Sequence, residues 1–402
     1  MVANNLDSYF ESFINRKSVF IDKHYLQSSY TPDTILHRDE QIKAIANILA
    51  PLLKLERPSN LFVYGKTGTG KTVTVRYTTA QVHNVAEKHS RPVKICYLNC
   101  KLKKIADTEY RLIAELSRMF GKAIPPTGLP TDEVYNIFFK ALNSKEQVVV
   151  LVLDEIDQLI KKAGDEILYN LTRINEHLEK AQVAIIGISN DLMFVDNIDP
   201  RIKSSLSEEE LVFPPYNAIQ IQEILNSRKE KAFRKGAIAP GVIEKCAAYA
   251  AREHGDARRA LDLLRVAGEI ADRLGSNRVN IEHIDEAEKK IEGDRIIEIV
   301  ASYPKQFQVV LYSIFLLKKS HQDPLYTGEI YEVYKQLCKK LAVSPLTQRR
   351  ISDILAELDM LGLINAKVIS KGRYGRTREI SLSIPVNTLP KVKEILESSL
   401  HI

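Results

Sequence analysis

Tryptophan is missing from this 402-residue chain and cysteine is scarce, with four residues at Cys96, Cys100, Cys246 and Cys338. Only Cys96 and Cys100 are close, and no Cys or His pair follows at zinc-finger spacing. The thiols therefore read as buried core residues, with no metal or disulfide staple expected. No uninterrupted apolar run reaches the roughly 18 residues that a membrane-spanning helix needs. The N-terminal stretch MVANNLDSYFESF carries acids where a signal peptide has a basic start and an apolar run, so a cytosolic protein is expected. There is no internal repeat, no low-complexity tract, and no Asn-Lys-x-Asp motif of the kind that reads a guanine base.

What is present is an ordinary globular composition. The chain is 45% hydrophobic and 27% charged, which excludes disorder along its whole length. Its length exceeds what one hydrophobic core usually organises, so two or three domains are expected. The net charge is +6, and residues 294–402 hold 16 Lys/Arg against 11 Asp/Glu, placing +5 in the last quarter.

The first half alternates short β-rich runs, at 60–64, 93–98, 148–153 and 183–188, with amphipathic stretches at 39–53, 72–89 and 164–181. That alternation predicts an α/β fold, a parallel sheet flanked by helices. The pattern stops at Phe213-Pro214-Pro215-Tyr216. Helices follow over 218–235, 240–254, 257–274 and 281–292, with Pro240 at a first helical position and Gly255-Asp256 as punctuation, making a small all-α domain. The third block reads as helices over 305–319, 327–341 and 346–361, then β-rich runs at 365–370 and 379–384 around a basic loop. Three helices and a two-stranded wing make a winged-helix domain. The expected domains are 1–213, 214–293 and 294–402.

Gly65-Lys66-Thr67-Gly68-Thr69-Gly70-Lys71-Thr72 fits G-x-x-x-x-G-K-[ST] in full, after an expected strand and before an expected helix. Glycines let successive backbone N–H groups turn toward phosphates at a helix N-terminus, where an anion is favoured. Lys71 is expected to bridge the β- and γ-phosphates of ATP, and the Thr72 hydroxyl to ligate Mg²⁺. A chain of this composition matches the motif by chance roughly once in a hundred, so a plain glycine turn is disfavoured. The apolar run 148–153 ends in Asp154-Glu155-Ile156-Asp157, and carboxylates at the C-terminal end of a buried strand sit where open α/β sheets hold ligands. Asp154 is expected to hold Mg²⁺ through water and Glu155 to polarise an attacking water. Asp157 reads as a helix cap. Asn190, just after the run 183–188, is placed to touch the γ-phosphate, or else is a simple turn asparagine.

These residues resemble the AAA+ ATPases, and within them the archaeal replication initiators related to origin recognition complex subunit one and cell division cycle protein six. The resemblance spans nearly the whole chain. It rests on His37-Arg38-Asp39-Glu40-Gln41, the loop 65–72, Asp154-Glu155-Ile156-Asp157 and Asp199-Pro200-Arg201-Ile202-Lys203-Ser204-Ser205-Leu206, then on Phe213-Pro214-Pro215-Tyr216 and Gly255-Asp256-Ala257-Arg258-Arg259-Ala260-Leu261. It implies an AAA+ P-loop ATPase core, an all-α lid and a C-terminal winged helix. It also implies slow ATP hydrolysis used as a switch between ATP and ADP states. Arg201 resembles an arginine finger acting on a neighbouring subunit's ATP, though an arginine after Asp-Pro also caps surface turns. Arg258 resembles a second sensor, with Arg259 the alternative. Tyr216 and Arg228 match positions beside the nucleotide, or pack at the surface. The lack of tryptophan and the high lysine content are compatible with an archaeal source.

For nucleic acid, Ser344-Pro345 reads as the start of a helix whose N-terminal residues Thr347, Gln348, Arg349 and Arg350 lie where a recognition helix meets base edges. The loop from Lys371 to Arg378 holds Arg373, Tyr374 and Arg376, a basic tip suited to phosphates or a minor groove, or else a solvated hairpin. The stretch 99–142, with Lys101, Lys103 and Lys104, is longer than a minimal crossover, and the resemblance implies a second DNA contact there, the alternative being lysines that are merely solvated. The leading expectation is an initiator that binds duplex DNA at replication origins and helps recruit the replicative helicase, with paralogous subunits as further partners and no membrane. A winged-helix transcription regulator and an assembly ATPase that does not bind DNA are the alternatives.

Overall fold

The computed structural model describes residues 17–101, 108–125, 127–194, 198–206, 208–320, 324–370 and 376–402. They divide into two compact units, 1–284 and 285–402. Among the described residues no helix is long and apolar enough to cross a membrane.

In the first unit, β1 (Leu61–Tyr64), β2 (Val93–Asn99), β3 (Gln147–Asp154), β4 (Ala181–Ser189) and β5 (Glu209–Val212) form one parallel sheet in the order β2-β3-β4-β1-β5. All eight residues of β3 are buried, because a central parallel strand is covered on both faces. Its pleat sends Val149, Leu151 and Leu153 into one core layer and Val148, Val150 and Val152 into the other. The first layer is closed by α3 (Glu109–Met119), α4 (Thr131–Leu142) and α5 (Ile156–Ala163), and the second by α1 (Asp39–Leu49) and α2 (Lys71–Lys88). All four cysteines are buried thiols outside any disulfide.

The four expected strands are present, but β5 was not foreseen. Its sequence, Glu-Glu-Leu-Val, is charged and mostly exposed, as suits an edge strand and hides the alternation that marks a strand in sequence. The expected helix over 164–181 is instead α6 (Glu166–Thr172) and a short 3-10 turn, Ile174–His177. There Asn175 gives its side chain to both the N–H and the carbonyl of Val183, at 2.8 Å each. Asp157 lies inside the first turn of α5 and bonds Ser189 and Gln158 rather than capping the helix.

After the short α7 (Pro200–Leu206), the helical part of this unit holds α8 (Ala218–Ala232), α9 (Val242–Arg252) and α10 (Ala257–Arg273). Asn217 and Gln220 form a capping box on α8. At α9 the N-cap is Gly241, with φ 83°, so Pro240 precedes the helix instead of starting it. Helix α11 (Ile281–Ser302) runs ten residues past its expected end, stopping two residues before Pro304, the first residue that cannot continue it. The expected boundary near 294 falls inside it. An N-terminal strap packs on this region: Phe20 stacks on Phe233 with ring centroids 4.6 Å apart, and Asp272 accepts from Ser18 Oγ at 2.6 Å and from the Val19 N–H at 2.8 Å.

The second unit contains α12 (Lys305–Ser320), β6 (Leu325–Tyr326), α13 (Thr327–Lys340), α14 (Gln348–Met360), β7 (Ile364–Ser370), β8 (Arg376–Leu382) and α15 (Leu389–Leu400). Its antiparallel sheet has the order β6-β8-β7, the arrangement of a winged helix with the two-residue β6 and the terminal α15 beyond expectation. Thr347, not Ser344, caps α14, its side chain accepting from the Arg350 N–H; Leu346 is tied back instead by its N–H to Tyr334 at 2.9 Å.

Gly268, inside α10, faces the Phe20–Phe233 pair. A Cβ there would lie 2.3 Å from Phe20 Cζ and 2.9 Å from Phe233 Cε1. Alanine for glycine in a helix gains up to about 1 kcal/mol, whereas overpacking two buried rings costs about 1–3 kcal/mol. Gly268→Ala is therefore expected to lower the urea midpoint of the first unit with an unchanged slope.

Candidate nucleotide-binding site and nucleic-acid surface

Strand β1 ends at Tyr64 and α2 begins at Lys71, so the loop 65–72 crosses the C-terminal edge of the sheet. Gly68 and Gly70 adopt φ of 74° and 88°, a region that side chains with a Cβ avoid. Space forbids a Cβ there as well: at Gly68 it would lie 1.7 Å from Asp256 Oδ1, and at Gly70 2.6 Å from the Tyr216 hydroxyl. The first contact belongs to the lid end of the site, where Ala257 donates its N–H to the Gly68 carbonyl at 3.2 Å. Arg38 is 3% exposed and makes the second tie. Its Nε donates to the Thr69 carbonyl at 3.0 Å and its Nη2 to Pro214 at 2.6 Å, with Tyr216 stacked 3.8 Å from its guanidinium.

A cavity of about 230 Å³ brings together Lys71, Thr72, Asp154, Glu155, Asn190 and Arg258. Lys71 Nζ donates to the carbonyls of Gly65 and Lys66 at 2.7 and 2.8 Å. Burial first, then the neighbouring Arg258 charge, pulls its amine down to about 8. Asp154 Oδ2 accepts from Thr72 Oγ1 at 3.0 Å and from the Tyr97 hydroxyl, while Oδ1 accepts the Glu155 N–H at 3.0 Å. Glu155 adopts φ 55° and is held by Asn99 at 3.3 Å and Lys101 at 3.6 Å. A second cavity of about 120 Å³ continues from the first, lined by Tyr30, Ile35, Tyr216, Ile224, Arg228 and Leu261 among others. Arg228 Nη1 is buried there without a hydrogen-bond partner, its guanidinium 4.5 Å from the Tyr30 ring. An unpaired buried donor lining a cavity with an apolar wall fits a polar, base-bearing ligand.

Other expected residues lie elsewhere. Arg201 is 71% exposed and paired with Asp199 at 2.8 Å, holding that carboxyl down to about 2; it lines neither cavity. Arg259 turns to Glu253 at 3.3 Å, which leaves Arg258 as the arginine of the pair that faces the cavity. Lys66 and Thr67 are exposed, while Thr69 is buried and bonds the Lys66 carbonyl. In the winged-helix unit Thr347, Gln348, Arg349 and Arg350 are all exposed at the start of α14. Arg378 is on β8 rather than in the loop and donates to the Ser352 carbonyl at 2.7 Å, bracing strand to helix. Lys371, Arg373, Tyr374, Lys103 and Lys104 lie outside the described residues, and Arg376 is described only as backbone at the start of β8.

Comparison with known proteins follows the same division of the chain. An AAA domain model matches residues 54–193, a Cdc6 AAA+ ATPase-type lid domain 222–289, and a CDC6 C terminal winged helix domain 298–391. The ORC1-type DNA replication protein of Thermococcus onnurineus is 53% identical across 98% of this chain and 95% of its own length. That of Pyrococcus abyssi is 54% identical across 94% and 91%.

The chain belongs to the ORC1-type DNA replication protein family.

A solved ORC1-type structure, the Aeropyrum pernix ORC1 protein in complex with DNA, superposes with a TM-score of 0.82 at 44% identity, covering 95% of this chain and 97% of that one. Cdc6p from Pyrobaculum aerophilum shares the fold at 22% identity and TM-score 0.61. As an AAA+ member of this family the protein binds nucleotide. For this ORC1-type chain, sequence reasoning missed Arg76, Tyr97, Asn99 and the strap residues Ser28, Ser29 and Tyr30, which line the cavities, and Arg38, which braces the loop from behind through the Thr69 carbonyl. Arg38 stood in a motif that carried the resemblance, but nothing in sequence marks one arginine as buried.

The Lys71 amine near 8 has a consequence for binding. Phosphate oxygens favour the ammonium form, so binding is strongest below that value and weakens as pH rises through it. ADP affinity measured by calorimetry is expected to fall roughly tenfold between about pH 7.5 and 9, with a flatter profile in Lys71→Met.

Proposed function

We propose that this protein is an ATP-regulated DNA replication initiator that binds duplex DNA at replication origins and helps recruit the replicative helicase. The observation that carries it is the union, in one chain, of a nucleotide cavity with Thr347, Gln348, Arg349 and Arg350 exposed at the head of a winged-helix α14. Relatives over the whole length are ORC1-type replication proteins, and one of the same architecture is solved with DNA. A transcription regulator is not favoured by those relatives.

In this reading ATP lies with its phosphates along the loop 65–72 and its base toward Tyr30, Tyr216 and Arg228. Lys71 and Arg258 face the phosphates in a partly dry site, the guanidinium permanently charged and the amine charged below about pH 8. Thr72 Oγ1 and Asp154 Oδ2, 3.0 Å apart, would hold Mg²⁺, whose charge offsets that of the phosphates when bound. Glu155 orients the attacking water once released from Asn99 and Lys101, with Asn190 beside it. Arg201, exposed and outside its own cavity, acts on the site of a second subunit, this chain's or a paralogue's. Hydrolysis is then slow in a lone subunit and serves as a switch.

For DNA, the arginines of α14 and the basic residues Lys371, Arg373 and Arg376 supply the contacts, and Lys101 with its neighbours a second one. Fluorescence anisotropy with origin fragments and a matched random duplex over a salt series tests this. The wild type is expected to prefer origin DNA. Arg349→Ala/Arg350→Ala and Arg373→Ala/Arg376→Ala are each expected to weaken binding tenfold or more, with a salt slope shallower by about one for every phosphate the variant no longer neutralises. Equal, weak binding of both duplexes by all variants would remove the DNA reading. For Arg201, turnover by Arg201→Ala is expected to drop by roughly a thousandfold with ATP affinity kept. Mixing it with Lys71→Ala is expected to restore turnover, since each subunit then supplies what the other lacks.

A further inference from the structure

Tyr97, two residues from the end of β2, carries two contacts on the nucleotide cavity. Its hydroxyl donates to Asp154 Oδ2, the same oxygen that accepts from Thr72 Oγ1. The face of its ring carries the Arg76 guanidinium at 3.9 Å. Arg76 is one turn beyond Thr72 on α2, and both Arg76 and Tyr97 line the cavity with Lys71 and Arg258. Neither contact is explained by packing alone, since Tyr97 is only half-buried and Arg76 is exposed.

We propose that Tyr97 is a positioning residue for the nucleotide site, its hydroxyl setting the plane of the Asp154 carboxylate and its ring holding Arg76 over the phosphates. The inference rests on the nucleotide reading above. The torsion about a carboxylate is soft, so its orientation is set by its donors. The Glu155 N–H pins Oδ1, and Thr72 and Tyr97 approach Oδ2 together. Thr72 is expected to turn its lone pairs to Mg²⁺, which leaves Tyr97 as the side-chain donor with no duty to the cation. A hydrogen bond to a charged acceptor is among the stronger kind. On the ring side, a guanidinium over an aromatic face is attracted by its quadrupole, which keeps an exposed arginine beside the phosphates without a carboxylate that would cancel its charge. One side chain thereby serves the cation-dependent part of nucleotide binding with its hydroxyl and the cation-independent part with its ring.

Calorimetric titration with ADP, in Mg²⁺ and in EDTA, separates the two. Tyr97→Phe keeps the ring and is expected to bind ADP as the wild type does in EDTA but roughly tenfold more weakly in Mg²⁺. Arg76→Gln is expected to weaken ADP by a similar factor in both conditions. On an Asp154→Asn background, Tyr97→Phe is expected to cause no further weakening. An equal weakening in both conditions for Tyr97→Phe assigns it a merely structural role and overturns the proposal, as does unchanged affinity in Mg²⁺ or a further weakening on the Asp154→Asn background. Should Tyr97→Phe fail to fold by circular dichroism, Arg76→Gln at its exposed position still decides: unchanged ADP affinity overturns the proposal. A wild type that binds no ADP in either condition removes the nucleotide reading and this inference together, and is distinct from every outcome above.

Discussion

The first unit is organised by the closeness of the phosphate loop to the turn that begins α10. The Ala257 N–H reaches the Gly68 carbonyl, and Asp256 occupies the space that any side chain at Gly68 would need. Asp256 is at the same time the N-cap of α10, accepting from the N–H groups of Arg258 and Arg259. The residue that touches the loop therefore also sets where α10 starts, and hence where Arg258 points. Arg38 adds a second strut, from the Thr69 carbonyl to the Pro214 carbonyl. The loop is thus tied on one side to the start of α10 and on the other to the turn at 213–216.

Charge in the cavity is sorted by this geometry. Acidic Asp154 and Glu155 stand at the end of β3, and cationic Lys71 on α2 and Arg258 on α10 face them across the cavity. Lys71 is pulled down because it is buried and has Arg258 for a neighbour, a cost that triphosphate oxygens would reverse. The strap from Gln27 to Leu36 closes the other cavity with Tyr30 under Arg228, and its anchor is the Ser18–Asp272 and Phe20–Phe233 contact on the lid. Part of that cavity's wall is thus supplied by a segment that precedes the first strand by some distance in sequence.

In the second unit, arginines of similar appearance in sequence divide into different jobs. Arg378 joins β8 to α14 through the Ser352 carbonyl, whereas Arg349 and Arg350 project from the first turn of that helix into solvent. Arg350 has only a loose pairing with Asp353 at 3.7 Å. Side chains held by weak surface pairs give up little on moving to a phosphate.

Local pattern alone determined much of this protein. The four apolar strand runs, the phosphate loop between strand and helix, and the carboxylates after β3 were all legible, because period and motif are properties of neighbouring residues. So were the heads of the lid helices, apart from Pro240, and the wing. What the sequence could not show were elements whose identity depends on distant partners. The charged edge strand β5 exists because β1 offers it a ladder, and helix 164–181 is cut short because Asn175 serves Val183. The choice of Arg258 over Arg259 required knowing that Glu253 claims the latter. Arg38 and Tyr97 acquire their roles only when chain separations of 31 and 57 residues are closed. Burial and hydrogen-bond partnership are set by the fold as a whole, and only the tertiary structure decided them.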